Sequence, residues 1–197
     1  MKDRFFYPIA AAVIGATIYY ALSFSAPTEP VDENIYELTG IGLEQLFPSP
    51  GTTVQLANDP SGAVAYAVMG AHLNRANAEA SAGVFGTLGS VHEASFAGNP
   101  IRITIRARKG RFEAASVMEA AYFSAGKGDS PWQAFILSDD FSDYSFIFTP
   151  GAITQKGGTD FVGVWPDASG KNGTIDVMSI RVEKIVEPEL RGSSTDG

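Results

Sequence analysis

The stretch IRITIRA, Ile101 to Ala107, decides the fold class. Ile101, Ile103, Ile105 and Ala107 fall on one face, and Arg102, Thr104 and Arg106 on the other. Strict apolar–polar alternation built from β-branched residues is the pattern of a half-buried β-strand. Lys109-Gly110 ends the run. Downstream, Trp132 to Leu137 and Tyr144 to Phe148 alternate in the same way, with Asp139-Asp140 opening the loop between them. Phe161 to Trp165 is a near-continuous apolar strand, followed by a long turn from Pro166 to Gly173. The last strand runs from Thr174 to Ile185, and its parity changes: Ile175 and Val177 are odd, Ile180 and Val182 even. A β-bulge near Met178-Ser179 reconciles the two halves, because one extra residue flips the face that follows it. Ala114 to Phe123 fits helix or strand by composition. It is read as a strand because strong strands flank it and Gly126 to Asp129 follows as a turn.

Upstream, Ile35 to Ile41, Thr52 to Ala57 and Ala63 to Met69 are extended patterns, the last two joined by the turn Asn58-Asp59-Pro60-Ser61-Gly62. Leu73 to Gly89 is rich in Ala and Gly, and one short helix is predicted over Asn74 to Ala82. Roughly eight or more strands, no helical spacers and frequent turns give a mainly β fold, an antiparallel β-sandwich with jelly-roll topology favoured.

The chain opens with Met1-Lys2-Asp3-Arg4 and then the uncharged run FFYPIAAAVIGATIYYALSF, Phe5 to Phe24. Some twenty helical residues at about 1.5 Å each span about 30 Å, the thickness of a bilayer core. Tyr7, Tyr19 and Tyr20 lie near its ends, and Lys2 and Arg4 set the N-terminus on the cytoplasmic side. The expected layout is a cytoplasmic start at 1–4, a transmembrane helix at 5–25, a Pro-rich acidic tether at 26–34, a β-sandwich at 35–187 and a polar disordered tail at 188–197. That describes a bacterial inner-membrane protein with a periplasmic domain. The alternative is a signal peptide cleaved near Ser25-Ala26; the apolar run is longer than a usual signal core. Ala11, Ala12, Gly15 and Ala16 would let a partner helix approach closely, or they simply face lipid.

The net charge of −8 leaves no basic footprint, which excludes nucleic-acid binding. The chain has no cysteine, so disulfides, thiolate metal sites and cysteine nucleophiles are excluded.

From Ile101 onward, IRITIRARKG, the aromatic strands WQAFIL and DYSFIFTP, FVGVWPD and the closing TIDVMSIRVEKI follow one another in an order that resembles the galactose-binding-like jelly rolls, including the CenC-type carbohydrate-binding modules. The resemblance covers roughly Thr52 to Val186. It implies a two-sheet sandwich that binds sugars on loops or a sheet face, and in some members a structural calcium. Asp176 occupies the place of an acid that the family carries on its final strand; Asp59 and Glu37 are the candidate calcium partners. No other cofactor is expected.

Other chemistry is weaker. Gly128-Asp129-Ser130 has the form of an esterase GDS block, but His72 and His92 both precede the serine and no G-x-S-x-G elbow is present, so a turn is the better reading. Gly83, Gly86 and Gly89 lack the Lys and Ser/Thr of a phosphate loop. Asp167-x-Ser169-x-Lys171 starts like a calcium loop but puts Asn172 where an EF-hand needs Gly and a cation where an oxygen ligand belongs. Any two of the 22 acids meeting in space would permit a glycosidase dyad. Trp132, Trp165, Tyr122 and Tyr144 are candidates for stacking on sugar rings; Trp165 is expected to be buried. Trp132, after a Gly-rich loop, is the better platform, with Gln133 and Asn172 as hydrogen-bonding neighbours. Arg102, Arg106 and Arg108 share one edge of the strongest strand; they would hold an acidic partner or a glycan, or, as the better reading, form a solvated face paired with neighbouring carboxylates.

The sequence therefore carries two functional expectations. The first is a non-enzymatic accessory subunit of an integral membrane protein complex, contacted through helix and domain. The second is a module that binds cell-envelope glycan.

Overall fold

The computed structural model describes residues 31–78, 81–126, 128–152 and 158–185. The expected membrane helix with Ala11, Ala12, Gly15 and Ala16, most of the tether and the tail from 188 lie outside the described residues. Among the described residues no helix is long and apolar enough to cross a membrane. The chain divides into two units, Met1–Asp32 and Glu33–Gly197, and the β-sandwich is the second.

The strands are β1 (Ile35–Thr39), β2 (Leu46–Pro48), β3 (Thr52–Asn58), β4 (Val64–Ala71), β5 (Val84–Thr87), β6 (Ile101–Lys109), β7 (Val117–Phe123), β8 (Gln133–Ile136), β9 (Ser142–Phe148), β10 (Phe161–Trp165) and β11 (Thr174–Lys184). They form two sheets. The first runs β3-β4-β11-β6-β9, with β1 also paired to β11; the second runs β2-β5-β10-β7-β8. Neighbouring strands are antiparallel throughout.

Period-two patterning places the core. Ile101, Ile103, Ile105 and Ala107 of β6 are fully buried, as the alternation predicts, and they meet Met118, Ala120 and Tyr122 of β7 and Val162 and Val164 of β10 in one cluster. The expected bulge is present: the β11–β6 register shifts between Val177 and Ser179. It turns both Ile175–Val177 and Ile180–Val182 into the core, all fully buried. The expected Arg–carboxylate pairing on the outer face of the first sheet is also present. Arg102 pairs with Glu183, Arg106 with Asp143 and Arg108 with Asp176.

Two local expectations are corrected, and one strand appears where none was expected. The helix predicted over Asn74 to Ala82 is only a 3-10 turn at Arg75–Asn77, and 79–80 lie outside the described residues. The Asn74 side chain accepts the Ala76 N–H and so caps this single turn at its N-terminus. The same unread stretch contains β5. Its approach depends on Gly163: a Cβ there would lie 2.2 Å from the Ala82 carbonyl oxygen, so only glycine lets the segment before β5 cross β10. The expectation of no helical spacer fails at a short helix, α1 (Ser90–Phe96), which buries His92 and Phe96. His92 Nε2 bonds the Ile35 carbonyl at 3.0 Å, tying α1 to β1.

Ile105 has no exposed surface and Ile147 on β9 is 62% exposed. Ile105→Ala should therefore lower the unfolding free energy by about 3 kcal/mol in urea titration. Ile147→Ala should change it by no more than about 0.5 kcal/mol.

Candidate functional site: an aromatic strip on the second sheet

Because Met118, Ala120 and Tyr122 point into the core, Glu119 and Phe123 must point out of the sandwich. Register extends that outer face across the sheet. Phe161 pairs with Phe123 on one side and Thr87 on the other, Gly163 with Phe85, and Phe85 with Phe47. A row of rings results. Phe47 and Phe85 have centroids 6.1 Å apart, Phe85 and Phe161 5.5 Å, and Phe161 and Phe123 4.7 Å in a near-parallel stack. Trp132, from the loop before β8, closes the row at 5.5 Å from Phe123 with its ring nearly perpendicular. None of these five rings belongs to the hydrophobic core cluster. Phe47 is 52% exposed and the others are half-buried. Four strands at about 4.8 Å spacing make the row roughly 14 Å long before Trp132 is added.

At the Trp132 end stands one ion pair. Arg75 donates through Nε and Nη2 to the two carboxylate oxygens of Glu119, and its guanidinium carbon lies 5.1 Å from the Trp132 ring centroid. Strong edge-on and stacked aromatic contacts with a self-neutralised ion pair make an apolar surface with directional polar groups at one end.

The loop carrying Trp132 is anchored from below. Ser130 Oγ accepts the Tyr122 N–H at 2.8 Å and donates to the Pro131 carbonyl, while Asp129 accepts the Ser124 N–H. The Gly-Asp-Ser block is thus a turn whose polar groups hold backbone.

Of the residues singled out by sequence, Trp132 lies on the strip. Gln133 does not: its register partner is core-facing Ala120, and its amide donates to the Pro131 carbonyl at 3.4 Å. Tyr122 is corrected from ligand platform to core residue. It has no exposed surface, and its phenol donates to Asp160 at 2.9 Å. Burial, with the charges of Asp160 and Glu93, pushes that phenol far above the ordinary tyrosine range. Trp165 is buried as expected, its indole N–H donating to the Asp167 carbonyl. Asn172 sits in the β10–β11 turn, toward the opposite end of β7 from Phe123, so it does not join Trp132. Phe47, Phe85, Phe123, Phe161, Arg75 and Glu119 were not foreseen. The signal was available in the odd positions of β7 once its even positions were assigned to the core.

The acids considered for calcium are engaged by other groups. Asp176 is 1% exposed and takes the Arg108 guanidinium at 2.8 Å, and Glu37 pairs with Arg181. Asp59 caps its own turn by accepting from Ser61 and Ala63. Among the described residues no group of three metal-ligating side chains assembles.

Asn172 lies beside a cleft of about 670 Å³ between the β6–β7 and β10–β11 loops, lined by Glu113, Ser116, Ser169 and Lys171. Asp167 organises it. Its carboxylate accepts from the Ser169 N–H and hydroxyl, the Lys171 N–H and the Gly173 N–H. The resemblance to the opening of a calcium loop is therefore a self-capped turn. Desolvation raises this carboxyl, but the bonds from Ser169, Gly173 and Lys171 outweigh it and hold the group below the usual aspartate value.

No protein-family model and no curated protein matches the sequence. Solved structures do. The N-terminal CBM22-1–CBM22-2 tandem domain of Paenibacillus barcinonensis Xyn10C superposes with a TM-score of 0.54 at 11% identity, covering 85% of this chain and 50% of that one. The chain shares the two-sheet β-sandwich fold of these domains. The CBM22-2 xylan-binding domain of the same protein gives 0.51 at 8% identity over 76% of this chain and 99% of that one. Its CBM22-1 xylan-binding domain gives 0.50 at 10% over 73% and 87%. This chain thus spans half the length of the tandem structure and corresponds to one module. The likeness establishes architecture, and function has to be argued from the strip.

A carboxylate held below its unfolded value stabilises the fold above that value, about pH 3.9, and loses its contribution as pH falls through the folded value. Asp167→Asn should therefore be less stable than the parent at pH 7 and show a flatter loss of stability between about pH 5 and 2 in pH-dependent thermal denaturation.

Proposed function

We propose that this domain is a non-catalytic carbohydrate-binding module that takes a glycan along the aromatic strip of the second sheet. The observation carrying the proposal is a row of rings outside the core: four phenylalanines aligned across β2, β5, β10 and β7 by strand register, with Trp132 from the loop before β8 at the end. Aromatic side chains offer rigid apolar area to the C–H faces of sugar rings, while the polar groups beside them receive hydroxyls. The strip's ion pair is internally matched, so the preferred ligand is uncharged, and the net charge of −8 disfavours polyanions. Two of the solved structures sharing this fold are described as xylan-binding, which makes xylan the first probe.

The reading as a membrane-assembly subunit rests on residues 5–25, outside the described residues, and no described feature argues for it. An exported domain tethered through 26–34 would meet envelope glycans directly, and that placement is part of the proposal.

The test is isothermal titration of the domain with xylan oligosaccharides, then with β-glucan oligosaccharides and peptidoglycan fragments. Phe161→Ala and Trp132→Ala should each weaken binding about tenfold, or ~1.4 kcal/mol, with thermal midpoints retained. Affinity should change little with salt. Absence of binding to all three glycan classes, or binding indifferent to both substitutions, would reject the proposal.

A further inference from the structure

Trp132 precedes β8 and does not belong to a strand, so no ladder fixes its ring. The loop anchors Ser130 and Asp129 act on backbone and leave the indole torsions free. Two side chains supply what the loop does not. Phe123 meets the indole from one side with rings nearly perpendicular, and the Arg75 guanidinium lies over the indole. Arg75 is itself held by a two-point bond from Glu119, which projects from β7 on the same outer face as Phe123. The backbone carrying Arg75 is also closely seated: a Cβ at Gly170 would lie 2.3 Å from the Asn74 nitrogen, so that glycine admits the segment. The result is a closed ring of contacts from Glu119 to Arg75, Trp132, Phe123 and back to Glu119 through β7.

We propose that the Glu119–Arg75 pair is a clamp fixing the Trp132 indole as one wall of the strip, which makes Arg75 a positioning residue for glycan binding. The second half of this statement rests on the strip being the glycan site; the first half stands without it. A planar guanidinium can stack on an indole and fork to a carboxylate simultaneously, whereas an ammonium offers only a point charge. Fixing the ring before the ligand arrives lowers the ordering cost of binding. Glu119 takes two of the five guanidinium N–H groups of Arg75.

The experiment uses the intact chain and tryptophan fluorescence. Trp165 is fully buried and Trp132 half-buried, so acrylamide quenching reports chiefly on Trp132. Trp132→Phe supplies the Trp165 baseline. Without ligand, Arg75→Ala should raise the quenching constant of the accessible fraction about twofold. Arg75→Lys should fail to restore it, and Glu119→Gln, which preserves shape, should shift it in the same direction. The same variants should weaken the best-bound glycan about fivefold with thermal midpoints unchanged, and the double variant should cost less than the sum of the singles. Unchanged quenching in both Arg75→Ala and Glu119→Gln overturns the clamp. Raised quenching with unchanged or tighter glycan affinity overturns the positioning role, the latter showing that Arg75 shields the ring. If the parent binds no glycan, the positioning role falls together with the proposed function, while the quenching result still decides the clamp.

Discussion

One strand, β11, carries the architecture, and its bulge is the constraint everything else obeys. β11 pairs with β6 along most of its length, with β4 on its first half and with β1 on its second. A regular strand of that length would keep one parity inside. Here the register shift between Val177 and Ser179 turns two differently phased pairs, Ile175–Val177 and Ile180–Val182, into the same core. Without it, one of those pairs would face out among Arg108, Arg181 and their carboxylates, and the residues between would enter the core as charges. The bulge therefore fixes which side of the first sheet is wet, and so which face of the second sheet meets the core.

The two outer faces that follow are unlike. On the first sheet, arginines and acids alternate across strands, and Arg108 lies between Asp176, Tyr66 and Phe141, its guanidinium carbon 4.3 Å from the Phe141 centroid. The exposed pairs, Arg102–Glu183 and Arg106–Asp143, add little stability, but they leave few polar groups seeking partners. On the second sheet the corresponding face carries rings. Phenylalanines in register across neighbouring strands, outside the core, are an expense in solubility that folding alone does not require. That asymmetry, more than the shared fold, is the ground for proposing the second sheet as the binding face.

The sequence made the first sheet legible almost residue by residue, since IRITIRA and the parity change in β11 are backbone patterns with one solution each. It was least informative between Leu73 and Gly89. There, strand β5 is four residues long, Asn74 makes a local turn, and the path is set by tertiary contact with Gly163 and Gly170, which no local pattern encodes. Helix α1 escaped for a similar reason, because seven residues are too few for a helical period to stand out. Trp132 was identified by its position after a Gly-rich loop. Tyr122 misled, because its neighbours in sequence do not reveal that even positions of β7 face inward. The phenylalanines of the strip come from β2, β5, β7 and β10, and only sheet order brings them together.

A glycan bound as proposed would lie on the outer face of the second sheet. Two-dimensional NMR of the isotopically labelled domain, titrated with a xylan oligosaccharide, reads this most directly. The account predicts shift changes concentrated at Phe85, Phe123, Phe161 and Trp132, with the loops around Glu113 and Asn172 unmoved. Shift changes confined to those loops, or spread over the arginine face of the first sheet, would contradict it.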